Sequence, residues 1–212
     1  MFKFDYVEIP KYERFCEGCR KFEESEGRDS MYKVASFLVE YHWGKYADMA
    51  DALGVLLLTW NAAFYRYGSS SLDFEELEKC INKNFVIIDS FRDRDISELS
   101  ENDEQSIRKL FNDFNEALMI NSGKKKGTKS PVSVAKALHL LAPKFFPLWD
   151  YNIAKAYRQN YSVKPEEKYI EFCKITKYMV ESMKDYKINK SKSMIKKIDE
   201  YNYARYTKHW IE

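Results

Sequence analysis

Apolar residues recur every three or four positions along most of this chain, which is the spacing of one face of an α-helix. The clearest case covers residues 107–118 and follows Ser100, a residue type that commonly precedes a helix. The most hydrophobic segment, residues 46–65, is long enough for a buried central helix. The same spacing predicts helices over residues 11–25, 31–41, 73–85, 131–141, 151–158, 165–179 and 191–209.

These segments predict an all-α fold, a compact orthogonal array of about eight helices. Residues 85–88 are the one β-like run, and residues 68–71 form a loop. Within residues 31–41, one helical face is expected to point inward, and it carries Val34, Phe37, Leu38 and Tyr41. We expect a single helical domain over residues 1–212, divided by a cleft into a lobe of residues 45–120 and a lobe of residues 1–44 and 121–212.

Composition supports this fold class and argues against others. The 212 residues include 7 Gly and 5 Pro, too few for the many tight turns of a β-sandwich or β-barrel. The longest uncharged apolar stretch, residues 52–65, is too short to span a bilayer, and no secretory signal is visible, so we expect no membrane partner. Four cysteines are too few for a disulfide scaffold, which makes the cytoplasm the expected location.

Charge is distributed unevenly, although the net charge is only +2. Residues 117–149 contain no acid and include six lysines, four of them in a basic loop of residues 121–129. Residues 184–209 carry eight bases and three acids. Such segregation favours a positive face that binds a polyanion. An ordinary solvated surface is the alternative, because residues that cluster in sequence need not cluster in space.

Established catalytic and cofactor motifs are missing from the chain. It has no Walker A, dinucleotide-binding, nucleophile-elbow or zinc-protease sequence, so no cofactor is expected. Cys16 and Cys19 have the spacing of half a zinc site, but there is no second pair, and we expect core residues rather than a metal centre. His139 falls within a predicted helix and is expected to be packed inside the protein.

Residues 127–157 have a more informative order. A basic turn ends at Lys129, and Ser130 with Pro131 then provides a strong helix start. A proline-bounded link follows, and Asp150 stands where the next helix should begin. The turn presents free backbone N–H groups at a helix start, an arrangement that binds anions. The residues expected to contact nucleic acid are Lys124, Lys125, Lys126, Gly127, Thr128, Lys129 and Ser130.

This order resembles the helix-hairpin-helix DNA glycosylase superfamily, in which a glycine turn and a helix precede an aspartate at the start of the following helix. The stretch Pro-Leu-Trp-Asp-Tyr-Asn-Ile, from Pro147 to Ile153, is similar to the family's proline–apolar–Asp–x–x–apolar sequence. The specific part of the resemblance covers residues 127–157. The chain lacks the family's usual leucine–proline–glycine–valine–glycine hairpin and the cysteine quartet of its iron–sulfur branch.

The resemblance implies a DNA repair enzyme that removes a base, with Asp150 as the catalytic carboxylate. Trp60 and Trp149 are candidates for stacking on a flipped base. A lysine that forms a Schiff base would have to be Lys129 or Lys136, and neither matches the family's position, so monofunctional chemistry is favoured over lyase chemistry. The alternative is a noncatalytic helical module that binds nucleic acid or a protein partner through its basic face, with Asp150 serving only as a helix cap.

Overall fold

Capping side chains mark where several helices begin. In the computed structural model, which describes residues 4–25, 29–65, 72–187 and 192–212, the Asp73 side chain accepts a hydrogen bond from Glu76 N at 3.1 Å. Ser130 and Asp150 cap the helices that begin at Pro131 and Tyr151 in the same way. A cap satisfies a backbone N–H that the first turn leaves free and typically contributes about 1 kcal/mol.

Ten α-helices occur within the described residues. They are α1 (Tyr12–Ser25), α2 (Asp29–Tyr41), α3 (Tyr46–Trp60), α4 (Ala62–Tyr65), α5 (Phe74–Arg92), α6 (Glu104–Ala117), α7 (Pro131–Leu141), α8 (Tyr151–Ala156), α9 (Pro165–Ser182) and α10 (Met194–Asn202). A π-helical turn, Tyr203–Thr207, continues α10. No strand occurs in the described ranges, which confirms the predicted all-α class.

The buried face of α2 differs from the predicted one. Val34, Phe37 and Tyr41 are 45%, 64% and 70% exposed, whereas Ala35 and Val39 are buried. The helix packs against α3 and α7, so Ala35 and Val39 meet the core, Tyr32 and Leu38 pack against it, and Val34, Phe37 and Tyr41 face solvent. The predicted inward face of α2 is therefore wrong for Val34, Phe37 and Tyr41, whereas Leu38 is partly buried against the core and the helix itself is confirmed.

Four other local predictions need correction or fall outside the described residues. The β-like run, residues 85–88, lies inside α5, because a short apolar run fits one side of a helix as well as a strand. Ser100 caps a 3-10 turn, Glu101–Asp103, that directly precedes α6. The predicted last helix ends earlier, with α10 passing into the π-helical turn. The predicted loop at residues 68–71 lies outside the described residues.

Buried apolar side chains from all ten helices form one connected cluster. The central helix α3 packs against α2, α5 and α7, and its Leu53, Leu56 and Leu57 are fully buried. Elsewhere in the cluster, α1 packs against α10, and the centroids of the Phe15 and Tyr201 rings are 5.6 Å apart. The division into two lobes stays a prediction. None of the described helices has the length and apolar character needed to cross a membrane.

The helices α6 and α7 pack against each other and are joined by the basic loop. Two backbone hydrogen bonds close this connection, from Gly127 N to Ile120 O at 2.9 Å and from Ile120 N to Thr128 O at 3.0 Å. Gly123 and Gly127 have φ values of +71° and +87°, which favour glycine over residues with a side chain. The loop is therefore a defined turn between two packed helices.

Candidate functional site

A cavity of about 250 Å³, called here the Asp150 cavity, lies where α1, α3, α7, α8 and α10 converge. Its aromatic lining includes Phe22, Trp60 and Tyr203. Its charged lining residues are Lys136, Asp150 and Asp199. A concave site with apolar walls and a few convergent polar groups is the usual form of a small-molecule or base pocket.

Asp150 reaches this cavity from the first position before α8. Its Oδ1 accepts a hydrogen bond from Ile153 N at 2.8 Å, and its Oδ2 accepts one from Thr207 Oγ1 at 2.6 Å. The first bond is the predicted N-cap, and the second ties α8 to the π-helical turn. A carboxylate has about four acceptor positions, so each oxygen keeps capacity for a further donor or for a nearby positive charge.

Trp60 and Lys136 form a second wall of the cavity. The Trp60 ring stacks on Tyr32, with 5.8 Å between centroids and 15° between planes. Lys136 Nζ lies 5.7 Å from the Trp60 ring centroid and donates to the Trp60 backbone oxygen and to Asn61 Oδ1. These contacts hold the ammonium at the wall of the cavity that Asp150 also lines.

Trp149 lines the cavity but is only 1% exposed. Its Nε1 donates to Pro131 O at 3.2 Å, and its ring packs among Tyr161, Tyr169 and Phe172. This burial fixes the indole as part of the core beneath Asp150. Of the two tryptophans predicted to stack on a base, Trp60 is therefore the better placed.

The basic loop lies outside the cavity lining. Every residue from Asn121 to Lys129 is exposed, while Ser130 is buried at the start of α7. Lys129 pairs with Glu116, and its Nζ is not among the groups that line the cavity. Lys124, Lys125 and Lys126 make no ion pair with any described residue, so their charges are available to a partner. Of the two predicted Schiff-base candidates, Lys136 lines the same cavity as Asp150, and Lys129 does not.

The sequence analysis did not identify an ionic cluster that lies mostly inside the protein, where α10 packs against α1. It comprises Glu23, Asp29, Lys192, Lys196, Lys197, Asp199 and Glu200. Lys196 is 1% exposed, and Glu200 is fully buried. Lysines that add to the positive charge of residues 184–209 are thus neutralised inside the protein. The acid–lysine spacing within α10 was visible, but Glu23 and Asp29 lie more than 160 residues away in the sequence.

His139 lies beneath Tyr32 and has a fixed tautomer. The Phe146 carbonyl, 2.8 Å from Nδ1, can only accept, so Nδ1 carries the proton. Nε2 is then an acceptor for the Tyr32 hydroxyl at 2.9 Å. Burial, supported by the nearby Lys196 charge, lowers the pKa of His139 to about 3. The prediction of a packed histidine is confirmed.

Cys19 is buried and Cys16 is partly buried, in agreement with the core role predicted for this pair. Burial raises the pKa of the Cys19 thiol to about 12, so it is inert at neutral pH. The described residues contain no group of three or more His, Cys, Asp or Glu side chains that could hold a metal ion. Comparison of the chain with protein-family models, with curated proteins and with solved structures gives no match, so a function has to be argued from the site itself.

Proposed function

We propose that this protein binds DNA and removes a base from it by hydrolysis of the N-glycosidic bond. The observation that carries the proposal is the convergence of Asp150, Trp60 and Lys136 on one cavity, although Trp60 and Asp150 are 90 positions apart. An anionic carboxylate, an aromatic wall and a cation are the groups expected around a flipped nucleotide. The position of Asp150 at the start of α8 also agrees with the glycosylase resemblance.

The basic loop supports the DNA-binding part of the proposal. Lys124, Lys125 and Lys126 are exposed on a turn that leads directly into α7, and α7 also carries Lys136 to the cavity. Phosphate contacts from such a loop would position a duplex without reading its sequence. The cavity would then select the base.

In the proposed reaction, the bond between C1′ of the sugar and the base nitrogen breaks, and the bonding electrons leave with the base. The Asp150 carboxylate stabilises the positive charge that develops on the sugar. Water adds to C1′ and releases its proton, which gives the free base and an abasic sugar. Trp60 provides a surface on which the extruded base stacks.

The test measures base release in single-turnover reactions on duplexes that each contain one uracil, hypoxanthine, 8-oxoguanine or N7-methylguanine. Asp150→Asn should reduce release by at least about 10²-fold, since removal of one group that stabilises transition-state charge has effects of this size. Asparagine caps helices nearly as well as aspartate, so α8 should persist in this variant. Equal release by wild type and Asp150→Asn would contradict the proposed role.

Thr207→Val is the matched control. It removes the hydrogen bond to Asp150 Oδ2 but leaves the carboxylate charge and the Ile153 cap in place. We expect this variant to retain far more activity than Asp150→Asn. If the two variants lose activity equally, the effect comes from disturbed packing rather than from the charge.

A noncatalytic DNA-binding module is the second candidate, and a specific observation favours it. Both oxygens of Asp150 already accept protein hydrogen bonds, and Trp149 is packed beneath them. A module of this kind would retain duplex DNA at low salt and release no base from any duplex of the panel. Base release by wild type decides between the two candidates.

A further inference from the structure

A second carboxyl group, Asp199, lines the Asp150 cavity from α10. Its side chain is 12% exposed, and Lys196 Nζ holds its Oδ2 at 3.1 Å. Among the described residues, Lys196 is the one side chain that bonds this carboxyl group. Oδ1 is therefore left for a ligand in the cavity.

Asp199 belongs to an ionic cluster that lies mostly inside the protein. Inside the protein, the carboxyl groups of Asp29, Asp199 and Glu200 lie among the ammonium groups of Lys192, Lys196 and Lys197, and the solvent-exposed Glu23 and Lys33 pair with this cluster from its edge. Asp150, the N-cap of α8, and Lys136 of α7 line the same cavity as Asp199. A carboxyl group that is buried beside other carboxyl groups binds a proton more readily than a solvent-exposed one does.

The two cavity carboxyl groups therefore differ in environment. Burial raises the pKa of Asp199, and the negative charges of Glu200 and Asp150 act in the same direction, against the nearby Lys196. Asp150 instead accepts hydrogen bonds from a backbone N–H and a hydroxyl, and both suit an ionised group. Pairs of acids in contrasting environments typically divide the roles of proton donor and charged stabiliser.

We propose that Asp199 is a second catalytic residue, the general acid that protonates the departing base. This role rests on the proposed function. As the C1′–N bond breaks, the Asp199 proton passes to the base, which takes the bonding electrons and leaves neutral. Water adds to C1′, and the proton that it loses returns to the Asp199 carboxylate. The sum of the steps consumes one water and yields the base and an abasic sugar.

The experiment compares wild type with Asp199→Asn on the duplex panel, by single-turnover rates from pH 5 to pH 8. General acids typically contribute 10²–10⁴-fold, so release of uracil, hypoxanthine or 8-oxoguanine should fall by at least about 10²-fold. N7-methylguanine is cationic and leaves without a proton, so its release should change little. Wild type should slow as pH rises through the pKa of Asp199, and Asp199→Asn should lack this decline.

Each remaining outcome decides one of the two proposals. If wild type releases no base from any duplex, the proposed function fails. If wild type releases a neutral base and Asp199→Asn does so equally well, only the general-acid role fails. Release confined to N7-methylguanine, or a wild-type rate independent of pH, also overturns that role. Asp199→Glu, which keeps a carboxyl group, should restore part of the rate, and its failure to do so in a folded protein counts against the role.

Discussion

The basic loop and the segment of residues 192–197 are both rich in lysine, but they lie in opposite environments. Lys124, Lys125 and Lys126 extend into solvent without a described acidic partner. Lys196 and Lys197, by contrast, are 1% and 4% exposed and lie among carboxylates. The two segments have similar local composition, and only the second is folded into the protein interior.

The difference comes from partners that are distant in the sequence. Glu23 in α1 lies 2.8 Å from Lys197 Nζ, and Asp29 in α2 lies 3.2 Å from Lys192 Nζ. Among the lysines of the basic loop, Lys129 alone pairs with a described acid, Glu116. A lysine-rich segment is therefore a candidate for DNA binding only once its tertiary partners are known.

The largest expected effect is the loss of stability when a buried lysine is replaced. Lys196→Met removes an ammonium group that lies 3.8 Å from Asp29 Oδ1 and 3.9 Å from Glu200 Oε1, and it leaves these buried carboxylates with less positive charge. Breaking a buried pair in this way typically costs 3–5 kcal/mol, so we expect a loss of about 3–5 kcal/mol in the free energy of unfolding. Urea unfolding at pH 7 measures it.

Lys124→Met is the matched control, because it makes the same substitution in the basic loop. Surface substitutions usually change stability by less than about 0.5 kcal/mol, and we expect this one to do the same. If both variants unfold at the same urea concentration, the environments of the two lysines do not differ as described.

A smaller loss in the free energy of unfolding is expected at acidic pH. The His139 pKa is about 3 in the folded state, below the ordinary value of 6.5, so unfolded chains bind more protons between these values. The stability that His139 contributes is complete above pH 6.5 and is lost as pH falls, by about 2 kcal/mol between pH 7 and pH 5. Protonation of Asp199 changes the stability in the opposite direction. Because its pKa is raised, the folded protein binds this proton more readily than the unfolded chain does, so its contribution to stability increases as pH falls.

The comparison of wild type with His139→Gln isolates the contribution of His139 protonation to the pH dependence of stability. The difference in unfolding free energy between them should shrink by about 2 kcal/mol from pH 7 to pH 5, since the variant has no imidazole to protonate. The ionisable side chains of the basic loop are lysines, so replacing Lys124 should not alter the pH dependence in this range. A pH-independent difference between wild type and His139→Gln would show that His139 titrates normally.

The parts of the fold that depend on local signals could be predicted from the sequence. Asp73, Ser130 and Asp150 each cap the helix that their residue type and position indicate. The apolar spacing of α6 also identified its buried face, because that face carries large side chains and meets neighbours on several sides. On α2 the same reasoning failed, since packing against α3 and α7 favours the smaller Ala35 and Val39.

Only part of the candidate site could be predicted from the sequence. The local motif singled out Asp150, and the aromatic and lysine candidates included Trp60 and Lys136, which line the same cavity. Thr207 and Asp199 could not be found this way, because they come from the C-terminal end of the chain, 57 and 49 positions beyond Asp150. Their position at the Asp150 cavity depends on how α10 packs against α1, and no local sequence pattern predicts that packing.

The smallest expected change in stability, and the most direct test of DNA binding, comes from replacing Lys124, Lys125 and Lys126 together by serine. These side chains are exposed, so each substitution should change the free energy of unfolding by less than about 0.5 kcal/mol. If the loop contacts phosphates, wild-type affinity for duplex DNA should fall with salt at a log–log slope of about −3, since each neutralised phosphate adds about −0.9.

The triple variant should lose about 2 to 3 units of that slope. Lys196→Met should leave the slope unchanged in folded protein, because the Lys196 charge is already matched by carboxylates inside the protein. Fluorescence anisotropy of a labelled duplex over a salt series measures both variants against wild type. If wild type is not retained on duplex DNA even at low salt, the basic loop serves another partner. If Lys196→Met and the triple variant reduce the slope equally, the contrast between exposed and buried lysines does not govern binding.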